Sequence, residues 1–257
     1  MMELLPAVGP DEPERIHRFL VRGVEAAGAT GVVLGLSGGI DSALTARLAR
    51  DALGPDRVLG LLLPDRPYPA ELREETVGYA RELGIRSEVI ELGPIEDSVV
   101  AALGGRLDPV DQGNIKARIR MLLLYARARP LGRLVTGTGN RSELELGYFT
   151  KFGDGGADLL PLGHLYKTQV RALARSLGLP AAIQERAPTA GLWEGQTDEG
   201  ELGLPYARLD PILVGLARGL SPAEISRRTG AAPTEVRSVD DRVRRHRHKR
   251  LLPPIPA

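Results

Sequence analysis

The 257-residue sequence contains no cysteine, and this absence excludes several classes of protein. Without a thiol the chain has no disulfide framework, no thiolate metal site and no cysteine nucleophile. Aromatic residues make up only 4% of the sequence, which leaves few rings on which nucleic-acid bases could stack. The formal net charge is only +1, so the chain exerts no general attraction on nucleic acids or anionic membranes.

Long apolar runs are also missing. The longest, at residues 58–63 and 121–124, are far shorter than the roughly 20 residues that a transmembrane helix needs. The N-terminus lacks the basic segment and apolar stretch of a secretory signal. With 42% hydrophobic and 26% charged residues, the composition is typical of a folded globular protein. We therefore expect a cytoplasmic protein without a membrane partner.

Apolar, partly β-branched runs alternate with helical patterns over the first half of the chain. The predicted strands are residues 31–36, 58–63, 87–92 and 133–136. Helices are predicted at residues 11–27, 43–52, 71–83, 95–103 and 114–128. Buried strands separated by helices of this length indicate βαβ units and a parallel sheet.

The pattern changes after Pro161. Residues 168–177 are predicted to be a helix, and residues 210–247 are helical in two or three pieces. Between them, residues 190–205 are polar, lack periodicity and include Trp193, so a lid over a ligand is predicted beside the alternative of a disordered loop. No linker separates the two halves. We predict one domain over residues 1–257, a doubly wound α/β fold with a mostly parallel sheet flanked by helices, an N-terminal amphipathic helix and a helical C-terminal part.

The strongest local signal follows the first predicted strand and opens the next helix. It consists of Gly35, Leu36, Ser37, Gly38, Gly39, Ile40, Asp41 and Ser42. Adjacent glycines allow a backbone to turn sharply and approach an anion, and the helix N-terminus directs free amide groups at the same place. We call residues 37–42 the phosphate loop. The alternative is an ordinary tight turn with a capping aspartate.

Asp41 would repel an anion in this loop unless a divalent cation lay between the two charges. Oxygen ligands of this kind suit Mg²⁺, so Asp41 is a candidate magnesium ligand. The spacing is not that of a Walker A motif, which needs a lysine before its Ser or Thr, nor that of G-x-G-x-x-G. The complete loop instead resembles the pyrophosphate loop of the N-type ATP pyrophosphatases. That resemblance implies cleavage of ATP between its α- and β-phosphates and transfer of AMP to an acceptor oxygen.

Further segments resemble the ammonia-dependent NAD synthetases and run in the same order. They are residues 136–158, 161–162, 167–171, 188–193, 195–199 and 248–253. With the phosphate loop they extend over nearly the whole chain, from about residue 34 to residue 253. Within the first of them, residues 153–156 form a Gly-rich turn, for which a plain surface turn is the alternative.

The resemblance implies a site for ATP and Mg²⁺. Glu143 is the implied second magnesium ligand beside Asp41. The alternative, which would be preferred without the resemblance, is that Glu143 is an ordinary exposed glutamate on a helix. Thr138 corresponds to a position that contacts ATP, while Lys167 and Thr189 correspond to positions that hold its phosphates. Asp41 and Lys167 are therefore expected to take part in catalysis.

The resemblance also implies a site for nicotinic acid adenine dinucleotide (deamido-NAD). The corresponding positions are Arg118, Lys151, Asp158, His248 and Lys249, and Asp158 is also assigned a catalytic role toward ammonium. Family members are homodimers with this site at the subunit interface. The predicted helix at residues 114–128 would serve such an interface or be a buried core helix, and its sequence does not separate the two.

The implied reaction joins ammonia to the nicotinate carboxylate of deamido-NAD. The carboxylate attacks the α-phosphorus of ATP, pyrophosphate leaves, and ammonia displaces AMP from the acyl-adenylate to give NAD. Since the chain lacks cysteine and the length for a glutamine-hydrolysing domain, we expect free ammonia to be the nitrogen source.

Lysine is scarce, at 4 of 34 basic residues, and three of the four lysines fall at implied substrate contacts. These are Lys151, Lys167 and Lys249, whereas Lys116 lies two residues before Arg118. An ammonium group is a compact point charge that fits beside a phosphate where a planar guanidinium does not. We therefore expect function to require these lysines.

Two other functions compete with this interpretation. Residues 221–236 have the spacing of a helix-turn-helix, and residues 242–250 are strongly basic, as in a nucleic-acid-binding regulator or an RNA-modifying adenylating enzyme. The neutral overall charge argues against both. The other alternative is a module that only senses ATP, which has little need for the two carboxylates Asp41 and Glu143. We expect no nucleic-acid partner.

Overall fold

Four parallel strands form one sheet in the computed structural model, which describes residues 4–66, 68–189 and 195–256. The strands are β1 (Gly31–Gly35), β2 (Val58–Leu62), β3 (Arg86–Val89) and β4 (Arg133–Thr136). Their order is β3-β2-β1-β4, so β1 pairs with both β2 and β4. The chain winds in one direction from β1 to β3 and then crosses back to β4. The resulting switch point, between β1 and β4, is where open α/β sheets bind ligands.

Helices cover both faces of this sheet. They are α1 (Glu12–Ala26), α2 (Ile40–Leu53), α3 (Ala70–Glu82), α4 (Gly93–Ala102), α5 (Pro109–Ala128), α6 (Arg141–Leu146), α7 (Lys167–Ser176), α8 (Ala181–Glu185), α9 (Asp198–Leu202), α10 (Tyr206–Ala217), α11 (Pro222–Thr229) and α12 (Pro233–Arg245). Successive residues of a strand point to opposite faces. Val32 and Leu34 accordingly pack in a cluster with α1, α2 and α7, whereas Val33 packs with α4 and α5. The predicted doubly wound fold class is confirmed.

A third apolar cluster joins the C-terminal helices to α6. Tyr206, Ile212 and Leu213 of α10 are fully buried there with Leu146. The predicted helical segment at residues 210–247 is therefore three helices, of which the first begins earlier than predicted. The described residues contain no helix with the length and apolarity to cross a membrane.

Several predicted boundaries are wrong, for identifiable reasons. The third strand is predicted at residues 87–92, but β3 ends at Val89, because its partner β2 ends at Leu62, which lies opposite Val89. Helix α5 begins at Pro109 instead of residue 114, because the Asp108 carboxylate caps it by accepting hydrogen bonds from the amides of Val110 and Asp111. Residues 190–194, with Trp193, lie outside the described residues, and α9 occupies part of the predicted lid.

Gly31 provides a test of the sheet. A Cβ atom at this position would lie 2.1 Å from the carbonyl oxygen of Arg57, which is backbone and cannot rotate away. We expect Gly31→Ala to lower the free energy of unfolding by at least about 2 kcal/mol, because the β1–β2 edge must shift to admit the methyl group. In Gly78→Ala, where the added Cβ contacts nothing within 4 Å, helix propensity should instead raise stability by about 0.5–1 kcal/mol. Urea denaturation of both variants checks this, and equal stabilities would contradict it.

Candidate active site

The phosphate loop connects β1 to α2 and is held by its own hydroxyl groups. The Ser37 amide donates to the Ser42 hydroxyl oxygen at 3.2 Å, and the Gly39 amide donates to the Ser37 hydroxyl oxygen at 3.3 Å. Gly38 has a φ of 77°, a left-handed conformation that glycine adopts without strain. The loop therefore gathers two hydroxyls and backbone amides at the N-terminus of α2, which is an arrangement suited to a phosphate.

Helix α6 begins directly after β4 and is fixed by a capping box. The Asn140 side chain accepts a hydrogen bond from the Glu143 amide at 3.1 Å, while the Glu143 carboxylate accepts one from the Asn140 amide at 3.0 Å. The Asn140 side chain also donates to the Asp41 carboxylate at 3.0 Å. Because β1 and β4 are neighbours, one asparagine orders the first turn of α6 and holds Asp41 of α2 beside it.

Lys167, the first residue of α7, lies between the two carboxylates. Its ammonium group donates to the Asp41 carboxylate, and it lies 3.6 Å from a Glu143 carboxylate oxygen. The ring of Tyr206 lies on another side, with its centroid 5.6 Å from the Lys167 nitrogen. Lys167 is 3% exposed, so its charge is almost fully enclosed. The structure thus brings Asp41, Glu143 and Lys167 together beside the phosphate loop.

The charges in this cluster alter one another's ionisation. Burial raises the pKa of Glu143, and together with the Asp41 charge it outweighs Lys167, so that this pKa reaches about 8. Burial alone would lower the pKa of Lys167, but the Asp41 and Glu143 carboxylates raise it above its ordinary value. Lys167 therefore stays charged, whereas the raised pKa of Glu143 favours its protonated form at neutral pH when no further cation is near.

A buried carboxylate behind the cluster anchors the start of α7. Asp210 of α10 is fully buried and accepts hydrogen bonds from the Ser142 hydroxyl at 2.6 Å and the Thr168 amide at 2.8 Å. The Ser142 hydroxyl oxygen in turn accepts the Lys167 amide at 2.9 Å. Since Ser142 adjoins Glu143 and Thr168 adjoins Lys167, this network ties the segments that carry these two side chains to α10.

Asp198, the first residue of α9, is a further buried acidic residue near the cluster. It is 3% exposed, and it accepts a hydrogen bond from the Tyr206 hydroxyl at 3.0 Å. Its other carboxylate oxygen has no hydrogen-bond partner among the described residues. Burial raises the pKa of Asp198, and the charge of Lys167 opposes that shift. Asp198 lies in residues 195–199, one of the segments that resemble the ammonia-dependent NAD synthetases, but the sequence analysis did not predict a role for it.

The residues present fit a magnesium ion. No group of three or more histidine or acidic side chains in the described parts of the chain could hold a metal alone. Mg²⁺, however, commonly takes only one or two carboxylates and completes its coordination with water and substrate phosphates. Asp41 and Glu143 supply such a pair, close enough to share one ammonium group, next to a loop suited to phosphate.

The residues assigned to deamido-NAD fall mainly into a second cluster at the other end of α6. Lys151 donates to the carbonyl oxygen of His248 at 2.9 Å. Lys249 donates to the carbonyl oxygens of Gly147 and Phe149 at 2.7 and 2.8 Å. The C-terminal segment is thereby tied to the turn that follows α6, and the predicted turn at residues 153–156 is present there.

Asp158 and Arg118 lie along α5 and the end of β4. The Asp158 carboxylate accepts the Val135 amide at 2.7 Å and the Tyr125 hydroxyl at 3.0 Å. Arg118 is exposed on α5. Of the remaining predicted ATP positions, Thr138 lies two residues after the end of β4 and is half-buried. The hydroxyl of Thr189 donates to the Gln196 carbonyl oxygen at 2.7 Å.

Lys116 differs from the other three lysines. It is 6% exposed and lies 3.1 Å from the Asp65 carboxylate and 3.9 Å from that of Glu96. Arg120 also pairs with Asp65, at 3.3 Å. This buried ion-pair network joins α4 and α5 to the segment after β2, so Lys116 has a structural environment that the sequence did not reveal.

Comparison with known proteins explains this arrangement. A family model described as NAD synthase matches residues 12–253. An NH₃-dependent NAD⁺ synthetase from Hyperthermus butylicus is 49% identical over 243 residues, which cover 94% of this chain and 88% of that protein. The chain belongs to the NAD synthase family. The phosphate loop, the capping box and the C-terminal segment as far as residue 253 lie within the residues that the family model matches.

Two solved structures share the fold of this family member. An NMN synthetase from Francisella tularensis has a TM-score of 0.85 at 34% identity, covering 96% of this chain and 97% of that one. An NH₃-dependent NAD synthetase from Campylobacter jejuni has a TM-score of 0.82 at 32% identity, covering 96% and 98%.

The segment with helix-turn-helix spacing belongs to the synthetase fold. Ile225 of α11 and Val236 and Val239 of α12 are buried in the C-terminal cluster. In the basic run, Arg242 donates to the Glu201 carbonyl oxygen and Arg250 donates to the Leu144 carbonyl oxygen. These side chains contact α9 and α6, so packing within this fold accounts for the helix-turn-helix spacing that suggested the alternative function.

Proposed function

We propose that this chain amidates deamido-NAD to NAD, using ATP and ammonia and releasing AMP and pyrophosphate. The observation that carries this proposal is the convergence of Asp41, Glu143 and Lys167 beside the phosphate loop at the switch point of the sheet. Curated relatives that are NH₃-dependent NAD⁺ synthetases, among them one from Methanosarcina mazei at 46% identity, support the choice of substrates.

The first step is attack of the nicotinate carboxylate on the α-phosphorus of ATP, which breaks the bond to pyrophosphate. Charge accumulates on the leaving group, and Lys167 and the amides of the phosphate loop would stabilise it. Asp41 and Glu143 would hold Mg²⁺, which neutralises phosphate charge when bound. Thr138, in the segment after β4, and Thr189, in the segment after α8, would contact ATP.

In the second step ammonia attacks the acyl carbon, and the bond between that carbon and the AMP oxygen breaks. Arg118, Lys151, His248 and Lys249 would hold the dinucleotide with its carboxylate at the ATP site. Asp158, whose carboxylate accepts a hydrogen bond from the Tyr125 hydroxyl, would bind ammonium, which releases one proton to water before ammonia attacks. No protein nucleophile is needed in either step.

Substrate choice is the first test of this function. Because one structural relative is an NMN synthetase, the purified protein should be offered deamido-NAD and nicotinic acid mononucleotide in competition, each with ATP, Mg²⁺ and ammonium. We expect NAD to be the dominant product and kcat/KM to favour the dinucleotide. A preference for the mononucleotide would replace the proposed substrate but leave the adenylation chemistry in place. Equal rates with glutamine and ammonium would contradict the proposed nitrogen source.

We also propose that the protein is a homodimer that pairs through α5. Ile119 of α5 is buried against the sheet, but Leu122 is 58% exposed on the same helix as Arg118. Phe152, beside Lys151, is 59% exposed, and its segment packs on α5. Exposed apolar side chains next to the dinucleotide residues are typical of an interface that completes a site.

Leu122→Glu tests the dimer. A charge in an apolar contact should shift the protein to monomers at micromolar concentration and raise the KM for deamido-NAD by about tenfold, an effect of about 1.4 kcal/mol. Phe19→Glu is the matched control, because Phe19 is 44% exposed on α1, which covers the opposite face of the sheet. Sedimentation velocity and steady-state kinetics measure both effects. A Leu122→Glu variant that stays dimeric would contradict the proposed interface.

A further inference from the structure

Two side chains from distant segments donate hydrogen bonds to backbone carbonyl oxygens of the phosphate loop, and we call these bonds the outer contacts. Tyr68, which follows β2, donates its hydroxyl hydrogen to the Ser37 carbonyl oxygen at 3.2 Å. Arg186, which follows α8, donates to the next carbonyl oxygen in the chain, that of Gly38. Neither residue was found from the sequence, and the mechanism above uses neither. Both carbonyls belong to the loop that would receive pyrophosphate, so this inference rests on the proposed function.

Because the peptide unit is planar, these contacts also determine the direction of the amide groups that follow the two carbonyls. In a trans peptide the carbonyl oxygen and the following amide hydrogen point in opposite directions within one rigid plane. A donor that holds the Ser37 carbonyl outward therefore turns the Gly38 amide inward, and a donor on the Gly38 carbonyl does the same for the Gly39 amide. The Gly39 amide points toward the Ser37 hydroxyl oxygen, to which it donates at 3.3 Å, and pyrophosphate would have to replace that acceptor.

Arg186 is also fixed by an ion pair with α3. Its guanidinium also donates to the Glu75 carboxylate of α3. A Cβ atom at Gly38 would lie 2.5 Å from Leu72 and 3.3 Å from the Arg186 guanidinium, so α3 and Arg186 press closely on this residue. A glycine with positive φ would otherwise leave its two peptides free to turn. The outer contacts remove that freedom.

We propose that Tyr68 and Arg186 are positioning residues that aim the Gly38 and Gly39 amides at the departing pyrophosphate. Amide dipoles oriented before the reaction stabilise developing charge without reorganising. Arg186 adds a positive charge next to the same anion, partly balanced by Glu75. The two residues act through the loop and make no covalent contribution.

The direct test measures pyrophosphate affinity, which requires no dinucleotide. Inorganic pyrophosphate with Mg²⁺ is titrated calorimetrically into wild type, Tyr68→Phe, Arg186→Ala and Arg186→Lys. We expect about a tenfold loss of affinity for Tyr68→Phe and about a 10- to 100-fold loss for Arg186→Ala, since the second bond is charge-assisted. Arg186→Lys, which keeps one donor and the charge, should recover part of the loss.

Steady-state kinetics distinguish a positioning role from a purely structural one, because a structural defect would not lower kcat/KM for ATP selectively. In the exchange of labelled pyrophosphate into ATP, Tyr68→Phe and Arg186→Ala should both show a lower kcat/KM for ATP. Their KM for deamido-NAD should stay within about twofold of wild type. The controls are Tyr79→Phe, which removes a hydroxyl from a 3.4 Å contact outside the loop, and Arg73→Ala, which removes a 2.8 Å surface pair with Glu91. Both should behave as wild type.

Each outcome decides the matter. Selective loss of pyrophosphate affinity with unchanged thermal unfolding supports the proposal. Unchanged affinity in Tyr68→Phe and Arg186→Ala overturns it, and so does a loss that the controls share or that accompanies a lower unfolding temperature. If wild type bound pyrophosphate but never formed NAD, the proposed function would fail while the positioning roles would still stand or fall by the titration.

Discussion

Lys167→Arg is expected to reduce kcat/KM for ATP by about 100- to 1000-fold while the protein remains folded. The reduction corresponds to the loss of one well-placed group that stabilises transition-state charge, about 3–4 kcal/mol. The Lys167 ammonium occupies a closed space between Asp41, Glu143 and the Tyr206 ring. A guanidinium is larger and planar, so it cannot contact both carboxylates there and still reach a phosphate.

The matched control is the same exchange at the other enclosed lysine. Lys116 is 6% exposed and pairs with Asp65 and Glu96, neither of which belongs to the phosphate loop or to the cluster of Asp41, Glu143 and Lys167. We expect Lys116→Arg to lower the unfolding temperature while kcat stays within about threefold of wild type, because overpacking there costs about 1–3 kcal/mol of stability without altering the site. Near-normal turnover of Lys167→Arg would show that the compact charge is not required, and the functional explanation of the scarce lysines would be wrong.

Asp41→Asn is expected to abolish measurable turnover, by at least about 1000-fold in kcat. The substitution keeps the size of the side chain, and its carbonyl oxygen can still accept the hydrogen bond from Asn140. It removes the negative charge that pairs with Lys167 and the ligand that would share Mg²⁺ with Glu143, so both positive charges lose a fixed partner.

Pyrophosphate release over a range of Mg²⁺ concentrations measures this effect. Glu143→Gln should need a higher Mg²⁺ concentration for half-maximal rate and lose less activity than Asp41→Asn, because it lies farther from the Lys167 ammonium. Asp51→Asn on the same helix, where the carboxylate pairs with Arg47 and Arg50, should leave turnover unchanged. Activity of Asp41→Asn within tenfold of wild type at saturating Mg²⁺ would disprove the metal assignment.

The sequence was most informative where local physics determines the structure. The apolar runs at β1 and β2 predict buried parallel strands, and these strands are present. The adjacent glycines after β1 predict a tight turn, which is also present. The short helices α6 and α9 were missed because five or six residues carry no periodicity. Asn140 was detectable in principle, since an asparagine followed three residues later by a glutamate is a capping-box pattern.

Contacts between distant segments were not predictable. Tyr68 and Arg186 reach the phosphate loop from segments 31 and 148 residues away from their partners, and neither lies in a periodic pattern or a motif. Similarly, Asp210 stabilises α7 from α10, and its role depends on which helices pack together. These residues are recognised only once the sheet order has placed their segments side by side.

The fate of the carboxylate oxygen atoms distinguishes adenylation of deamido-NAD from other routes to NAD. The nicotinate carboxylate of deamido-NAD is labelled with ¹⁸O at both oxygens, and the protein converts it with ATP, Mg²⁺ and ammonium. If the carboxylate is adenylated, AMP carries one ¹⁸O atom, the amide of NAD keeps the other, and pyrophosphate carries none. Label in pyrophosphate or in inorganic phosphate, or ADP as the nucleotide product, would contradict adenylation at this site.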